Sequence, residues 1–452
     1  MQNFLKRYIK GDMPIWSIFL FLCLISVIEI YSAGSFFVNN KDNHTGELLR
    51  HSLFLIIGMV FAWAVHKMPF KWVRVIAYLL LPFSAMLLLV LAIIPQGMIP
   101  HLSIGGISLI GIDVENEAAR WIVVLGVKFQ PSEFAKISLI IYLSDLLTCN
   151  PLKSIVLTTI ARISKKELTE KYAKKLKFWS ALTILIIFFG LIAPDNLSTA
   201  ILLLGVGFIL IFISNVSFFR LIIVIAFGLS FAVGSFFLVR HTSKEKLEKI
   251  GLGRAKTWEK RVNSFMGEDK NTKFEYNDKS AQIIHSQIAI ARGGWFGVFP
   301  GNSVQRDYLP QAYADFIYAI IVEEMGLIGG IVVIALYMMF FYRAGILAKK
   351  SQYDFPAMLV LGLASMLVLQ AFVSIAVAVH LGPVTGQPLP LLSRGGTSVV
   401  ITWLYIGIIQ CVARSINEAN QKNAAVKAEN YETPYDLEDP EEKANLELSE
   451  NL

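Results

Sequence analysis

Glu133 and Lys136 stand three residues apart in the first turns of an otherwise apolar stretch, FQPSEFAKISLIIYLSDLL, which runs from residue 129 to 147. At that spacing they share one face of a helix, where a carboxylate and an ammonium can pair. Charge inside a membrane helix is costly, so the pair marks either a functional site or a structural lock. A fixed cation can hold an anionic headgroup, and a carboxylate beside it can hold the cation in place. Other polar residues have similar settings. Arg120 precedes this stretch, Asp195 follows Pro194 in PDN, and Asp315 stands in PQAYADF. GPVTGQPLPLLSRGGTS carries Ser393, Arg394, Gly395 and Gly396. Glu29, Glu323 and Glu324 fall inside apolar runs, where they must bond between helices or line a polar cavity. Counted down a straight helix, Glu323 and Glu324 lie about 12 to 14 Å below the start of their span.

Other chemistry is absent from the pattern. ARGGWFGVFPGNS and SRGGTS let backbone approach a ligand closely, but neither has the preceding strand and spaced lysine of a nucleotide phosphate loop. Any energy for a reaction must then come from a donor available outside the cytoplasm. His285 and His380 are isolated and read as polar contacts, and no His, Cys and Asp set has metal-ligand spacing. Cys23, Cys149 and Cys411 lie in or beside apolar runs and read as buried thiols.

These residues need a membrane scaffold. The 452-residue chain is 55% hydrophobic and 17% charged, with mean hydropathy +0.57. That composition predicts an all-α, polytopic membrane helical bundle. About ten transmembrane helices are expected, near 14–37, 51–68, 74–95, 133–149, 177–193, 197–214, 217–239, 312–342, 355–380 and 397–413. The first run is too long for a signal-peptide core and reads as a retained span. PDN makes a tight hairpin between the fifth and sixth, and Asp195 is expected to cap the helix that follows. Lys and Arg crowd the N-terminus, the second-to-third connection, the fourth-to-fifth segment and the eighth-to-ninth connection. By the positive-inside rule these are cytoplasmic, as are both termini, and the net charge of +7 needs no nucleic acid partner. The chain divides into a cytoplasmic N-terminus (1–13), a membrane domain (14–414) with a large extracytoplasmic loop (240–311), and an acidic cytoplasmic tail (415–452) expected to be disordered. With this topology Arg120, Glu133, Lys136, Asp195, the 240–311 loop, Asp315 and Arg394 all collect at the outer face. The absence of an internal repeat weakens a transporter reading.

Four stretches carry a resemblance: AARWIVVLGVKFQPSEFAKISLIIYL, PDNLSTAILLL, HSQIAIARGGWFGVFPGNSVQRDYLPQAYADFIYAIIVEEMGLIGG and PVTGQPLPLLSRGGTS. In their order, from about 118 to 414, the chain resembles the SEDS family of bacterial cell-wall proteins, the RodA/FtsW/SpoVE group. The GNSVQRDYLPQAYADF and TGQPLP forms look more like its FtsW, division, branch. The resemblance implies a peptidoglycan glycosyltransferase of the bacterial cytoplasmic (inner) membrane. It would polymerise lipid II at the outer face by an inverting displacement, with loss of undecaprenyl pyrophosphate. It further implies a class B penicillin-binding protein transpeptidase and other divisome proteins as partners. Asp269 in FMGED is the implied general base, with Asp278 in YNDKSAQ the alternative. Arg120, Glu133, Lys136, Asp315, Ser393, Arg394, Gly395 and Gly396 are the expected substrate-binding residues. A divalent cation such as Mg2+ or Mn2+ would share the charge, though the sequence defines no site for it. The chain departs from the family's pattern at Ser374 and Ala378, where Asn is common, at Arg394, where Tyr is usual, and at Phe299, where Gly is frequent. Two alternatives remain: a lipid II flippase, which suits the charges inside spans, and a non-enzymatic scaffold for a transpeptidase.

Overall fold

The structure, a computed structural model, describes residues 11–33, 44–93, 102–104, 107–115, 118–124, 127–149, 169–214, 218–242, 255–266, 278–309, 313–394 and 396–432. In chain order these form α1 (Met13–Ala33), α2 (His44–Lys67), α3 (Phe70–Ile93) and four strands. The strands are β1 (Leu102–Ile104), β2 (Ile107–Glu115), β3 (Ala118–Val124) and β4 (Val127–Phe129). Then follow α4 (Pro131–Thr148), α5 (Glu170–Ile213), α6 (Phe218–His241), α7 (Ala255–Met266), α8 (Asp278–Gly293), α9 (Ile317–Lys349), α10 (Asp354–Ala378) and α11 (Gly396–Glu432). Among the described residues seven helices are long and apolar enough to cross a membrane. Each expected span overlaps one of these helices, the fifth and sixth both overlapping α5.

Lipid-side surfaces are apolar and polar groups turn inward, the arrangement a bilayer solvent demands. Phe21, Leu24, Leu79 and Leu229 are exposed, whereas α4 buries nearly every residue from Pro131 to Leu147. Small residues let the central helices approach closely. On Gly362 of α10 a Cβ would lie 2.8 Å from Ile140 of α4, and on Gly407 of α11 it would lie 2.8 Å from the backbone of Ala62 in α2.

Two long helices fold back on themselves. As one straight rod the 44 residues of α5 would span about 66 Å, more than twice the hydrocarbon thickness. The rod breaks at Asn196, whose φ and ψ are −147° and 81°. A Cβ on Gly207 would lie 2.4 Å from Leu185, so the two halves pack as the expected hairpin. The cap is Asn196 rather than Asp195: its Oδ1 accepts from the backbone N–H of Thr199 at 3.2 Å. Asn196 is the residue that leaves helical geometry, so its side chain is the one free to turn back on the new N-terminus.

The second fold-back lies within α9. Gly326 has φ 71° and ψ −177°, a conformation open to glycine. A Cβ on Gly330 would lie 2.8 Å from both Val322 and Tyr318, which a straight helix would place two and three turns away. Residues 317–325 therefore double back beside the start of the long segment after Gly326. That segment runs antiparallel to α1, with Phe340 against Phe19 and Arg343 paired to Asp12. Glu323 and Glu324 consequently sit at the tip of a turn, level with Ser32 near the end of α1, and not partway down a straight span.

Strands β1 to β4 form an antiparallel sheet in the order β1-β2-β3-β4 where only a loop was expected. α11 stays helical to Glu432, beyond residue 415, where a disordered tail was expected to begin. Ala, Lys, Gln and Glu in that stretch favour helix, and Asn420 and Asn423 hydrogen-bond Gln352 at 2.9 and 2.7 Å. Residues 433–452 lie outside the described residues.

Candidate functional site

Pro131 opens α4 at a position where proline's missing N–H costs nothing, after an extended Gln130. Glu133 then falls in the first turn, where the helix dipole favours negative charge. One turn on, Lys136 pairs with Glu133 at 2.7 Å and is 1% exposed. Its Nζ also donates to Gln370 Oε1 on α10 at 3.4 Å. Gln370 Nε2 donates in turn to the carbonyl of Pro388 at 3.0 Å. A buried cation is tolerable when paired and hydrogen-bonded in this way.

Pro388 belongs to an irregular strip, residues 383–394, between α10 and α11. The strip is tied to several helices at once. Gln387 Nε2 donates to Ser198 and Thr199 on the α5 hairpin at 3.0 and 2.9 Å. Ser26 of α1 bonds the carbonyl of Leu392, and Tyr337 of α9 bonds that of Pro390. Ser393 Oγ accepts from the N–H of Leu389 at 2.7 Å and donates to the carbonyl of Ala314 at 2.5 Å. The N–H of Arg394 donates to the carbonyl of Tyr313 at 2.7 Å, and its guanidinium lies 4.7 Å from the Tyr313 ring centre. Asp315 Oδ2 would be 3.7 Å from a Cβ on Gly386, so this carboxylate lies against the strip. Burial pulls the Arg261 guanidinium of α7 below its usual range, and the charge of the Asp315 carboxylate opposes that shift. The geometry thus joins Glu133, Lys136, Asp315, Ser393 and Arg394 into one neighbourhood.

The turn at the tip of α9 forms a second polar cluster. Glu323 pairs with Arg292 of α8 at 3.3 Å and accepts from Ser303 Oγ and from the N–H groups of Val304 and Gln305. Glu324 accepts from Ser32 Oγ and the N–H of Ser303, with Arg306 at 3.8 Å. These carboxylates pin the 303–306 turn to α1 and α9. Phe299 has φ 70°, a conformation that glycine adopts more readily than a residue with a side chain. His285 hydrogen-bonds Gln305 at 2.8 Å and stacks on Tyr308, a polar contact as the sequence suggested.

The other expected site residues are dispersed or outside the described residues. Asp269 and Gly395 lie outside them. Asp278 is the first residue of α8. Arg120 occupies the bulge in β3, where Asp113 pairs with Trp121 and Val114 with Ala119. Gly396 opens α11 beside the Phe54 ring, and Thr397 bonds the carbonyl of Lys128, tying the sheet to that helix. A small pocket of about 10 Å³, its open surface almost wholly apolar, lies between α3, the start of α4 and the α5 hairpin, bounded by Leu88, Leu91, Ile192 and Asp195 among others. Sequence reasoning missed Gln370, Gln387, Tyr313, Arg261 and Ser303. Gln387 had a local signal, since it stands inside the quoted Gly- and Pro-rich motif.

Fold and site together define a polytopic helical membrane protein in which an enclosed charged pair and an irregular strip meet at one end of the bundle. The family model described as cell cycle protein, FTSW_RODA_SPOVE, matches residues 13–418. The chain therefore belongs to the FtsW/RodA/SpoVE family. It is 30% identical to a probable peptidoglycan glycosyltransferase FtsW of Trichlorobacter lovleyi, over 91% of this chain and 96% of that one. It is 28% identical to one of Saccharophagus degradans, over 91% and 94%. Its fold matches a chain from a structure describing polymerization and crosslinking by a peptidoglycan synthase complex, with TM-score 0.61 and 22% identity over 90% of this chain and 98% of that one. It also matches the rod shape determining protein RodA of Thermus thermophilus, with TM-score 0.55 and 20% identity over 90% and 98%.

Proposed function

We propose that this chain is a peptidoglycan glycosyltransferase that polymerises lipid II at the outer face of the bacterial cytoplasmic membrane during division, with both termini cytoplasmic. The observation that carries the reading is the continuous link Glu133–Lys136–Gln370–Pro388, which joins a buried cation to the strip bearing Ser393 and Arg394 against Asp315. A lipid-linked sugar pyrophosphate needs an apolar surface for its tail and fixed positive charge for its phosphates. The exposed apolar surface of α3 and α5, with Leu79, Phe83, Ile186 and Ile187, supports the first, and Lys136 with Arg394 supports the second, to which Arg120 would add from β3. In the reaction the acceptor's sugar hydroxyl attacks the donor's anomeric carbon. Its proton passes to a carboxylate, Asp269 or alternatively Asp278, as carboxylates activate nucleophiles in inverting glycosidases. The anomeric C–O bond breaks with its electron pair going to undecaprenyl pyrophosphate. Cations near that group lower the barrier by stabilising charge that grows in the transition state. A divalent cation would act in the same sense; among the described residues no three of His, Cys, Asp and Glu gather to hold one. Family likeness supports a class B penicillin-binding protein and other divisome proteins as partners.

The flippase alternative drew on charges inside spans. Glu323 and Glu324 are bonded to the 303–306 turn instead, leaving that reading with Glu29, buried beside Glu324. The deciding assay supplies lipid II in detergent, where no leaflets exist, with and without a cognate transpeptidase. Polymer formation by the wild-type protein, lost in Asp269→Ala or in Asp278→Ala, supports the reading and names the base. Transfer of labelled lipid II between leaflets of liposomes without polymer would replace it.

A further inference from the structure

We propose that Gln370 is the positioning residue for Lys136, and that a phosphate oxygen of the lipid-linked donor takes the place of its side-chain oxygen on the ammonium. The inference rests on the glycosyltransferase reading above and assigns a residue outside the expected set. An ammonium has three N–H donors and no acceptor. Glu133 takes one at 2.7 Å, and Gln370 Oε1 takes another at 3.4 Å. The orientation of the amide follows from its partners. The Pro388 carbonyl can only accept, so the NH2 group faces it and Oε1 is left for Lys136.

Three consequences follow from that geometry. First, one amide links the buried cation to the strip that carries Ser393 and Arg394, so the cation and the strip keep a fixed separation. Second, the contact to Lys136 is the long one of its two, near the outer limit for a hydrogen bond. A phosphate oxygen bearing charge makes a shorter and stronger bond to an ammonium than a neutral amide does. Exchange therefore favours the substrate, while the Gln370–Pro388 bond and the Glu133 pair stay in place. Third, both Lys136 and Gln370 are buried, so water does not compete with the amide for the ammonium in the resting state.

The test compares binding of undecaprenyl pyrophosphate by the full-length protein in detergent. Gln370→Glu sets a carboxyl group against Lys136, which in its ionised form competes with the phosphate. It is expected to weaken binding about tenfold, the scale of one charge-assisted hydrogen bond. On a Glu133→Gln/Lys136→Met background, which removes the cation without stranding a carboxylate, the same change is expected to have an effect of at most about twofold. Equal weakening on both backgrounds, or none on the first, overturns the proposal. Gln370→Met keeps the side-chain length and removes both hydrogen bonds. With folding checked by thermal melting, it is expected to lower kcat for lipid II polymerisation about tenfold while KM stays within about twofold. An unchanged kcat, or a KM that rises with kcat preserved, overturns it. Failure of the wild-type protein to make polymer would remove the glycosyltransferase reading, whereas the binding comparison bears on Gln370 independently.

Discussion

Lys136 is as enclosed as Phe178 or Trp403. Burying an ammonium so fully is tolerable only because Glu133 and Gln370 meet it. Lys136→Met alone leaves Glu133 without its cation, and breaking a buried pair in this way costs about 3–5 kcal/mol. Thermal melting should show that loss, and Glu133→Gln/Lys136→Met should recover most of it. Polymerisation by the double variant is expected to stay low, because stability returns and the cation does not. Full activity in the double variant would make the pair a structural lock. The pair itself was legible in the sequence, since spacing by three puts both side chains on one helical face. Its further partner was not. Gln370 lies 234 positions away, and no local pattern links a glutamine in one apolar run to a lysine in another.

Helices here do more than cross. α5 and α9 each contain a reversal, and the two reversals hold the polar network. The hairpin at Asn196 was legible because Pro-Asp-Asn interrupts an apolar run too long for one crossing. The reversal at Gly326 was harder to read: Glu323 and Glu324 precede it and Gly329 and Gly330 follow it, but the whole run has a length that a single crossing also fits. Gly326→Ala tests it. The alanine would need φ 71°, and its Cβ would lie 2.2 Å from the Trp295 carbonyl oxygen. Strain and contact together are expected to exceed about 2 kcal/mol. Lower yield and melting temperature, with loss of polymerisation, are the expected outcome; a fully stable variant would mean that the fold-back is dispensable. The β-sheet also had a signal that went unused. ISLIGIDVE and AARWIVV are rich in β-branched and aromatic residues and are separated by the polar pair Asn116 and Glu117, which is a hairpin pattern in sequence.

At the scale of the molecule, the network works only if its pieces lie at one membrane face. The sheet, the 303–306 turn and the strip before α11 must then lie together outside, and the extension of α11 inside. Cysteine labelling in spheroplasts tests this on a background with Cys23, Cys149 and Cys411 replaced by Ser. Lys128→Cys and Asn302→Cys should react with an impermeant thiol reagent from outside, whereas Lys422→Cys should react only after lysis. Reaction of Lys128→Cys and Asn302→Cys from opposite sides would separate the sheet from the turn and dissolve the proposed site.

Composition, apolar run length and loop charge determined a helical membrane bundle and the expected side for each loop, because transfer of side chains into lipid is a local property of the sequence. They also marked Glu133, Lys136, Asp315 and Arg394 as misplaced in their surroundings. Tertiary structure alone decided that Lys136 meets Gln370, that Gln387 grips the α5 hairpin, and that Glu323 and Glu324 fasten a turn. Those pairings arise from how helices distant in sequence pack against each other. Burial then forces each polar group to find a partner wherever the packing has placed one.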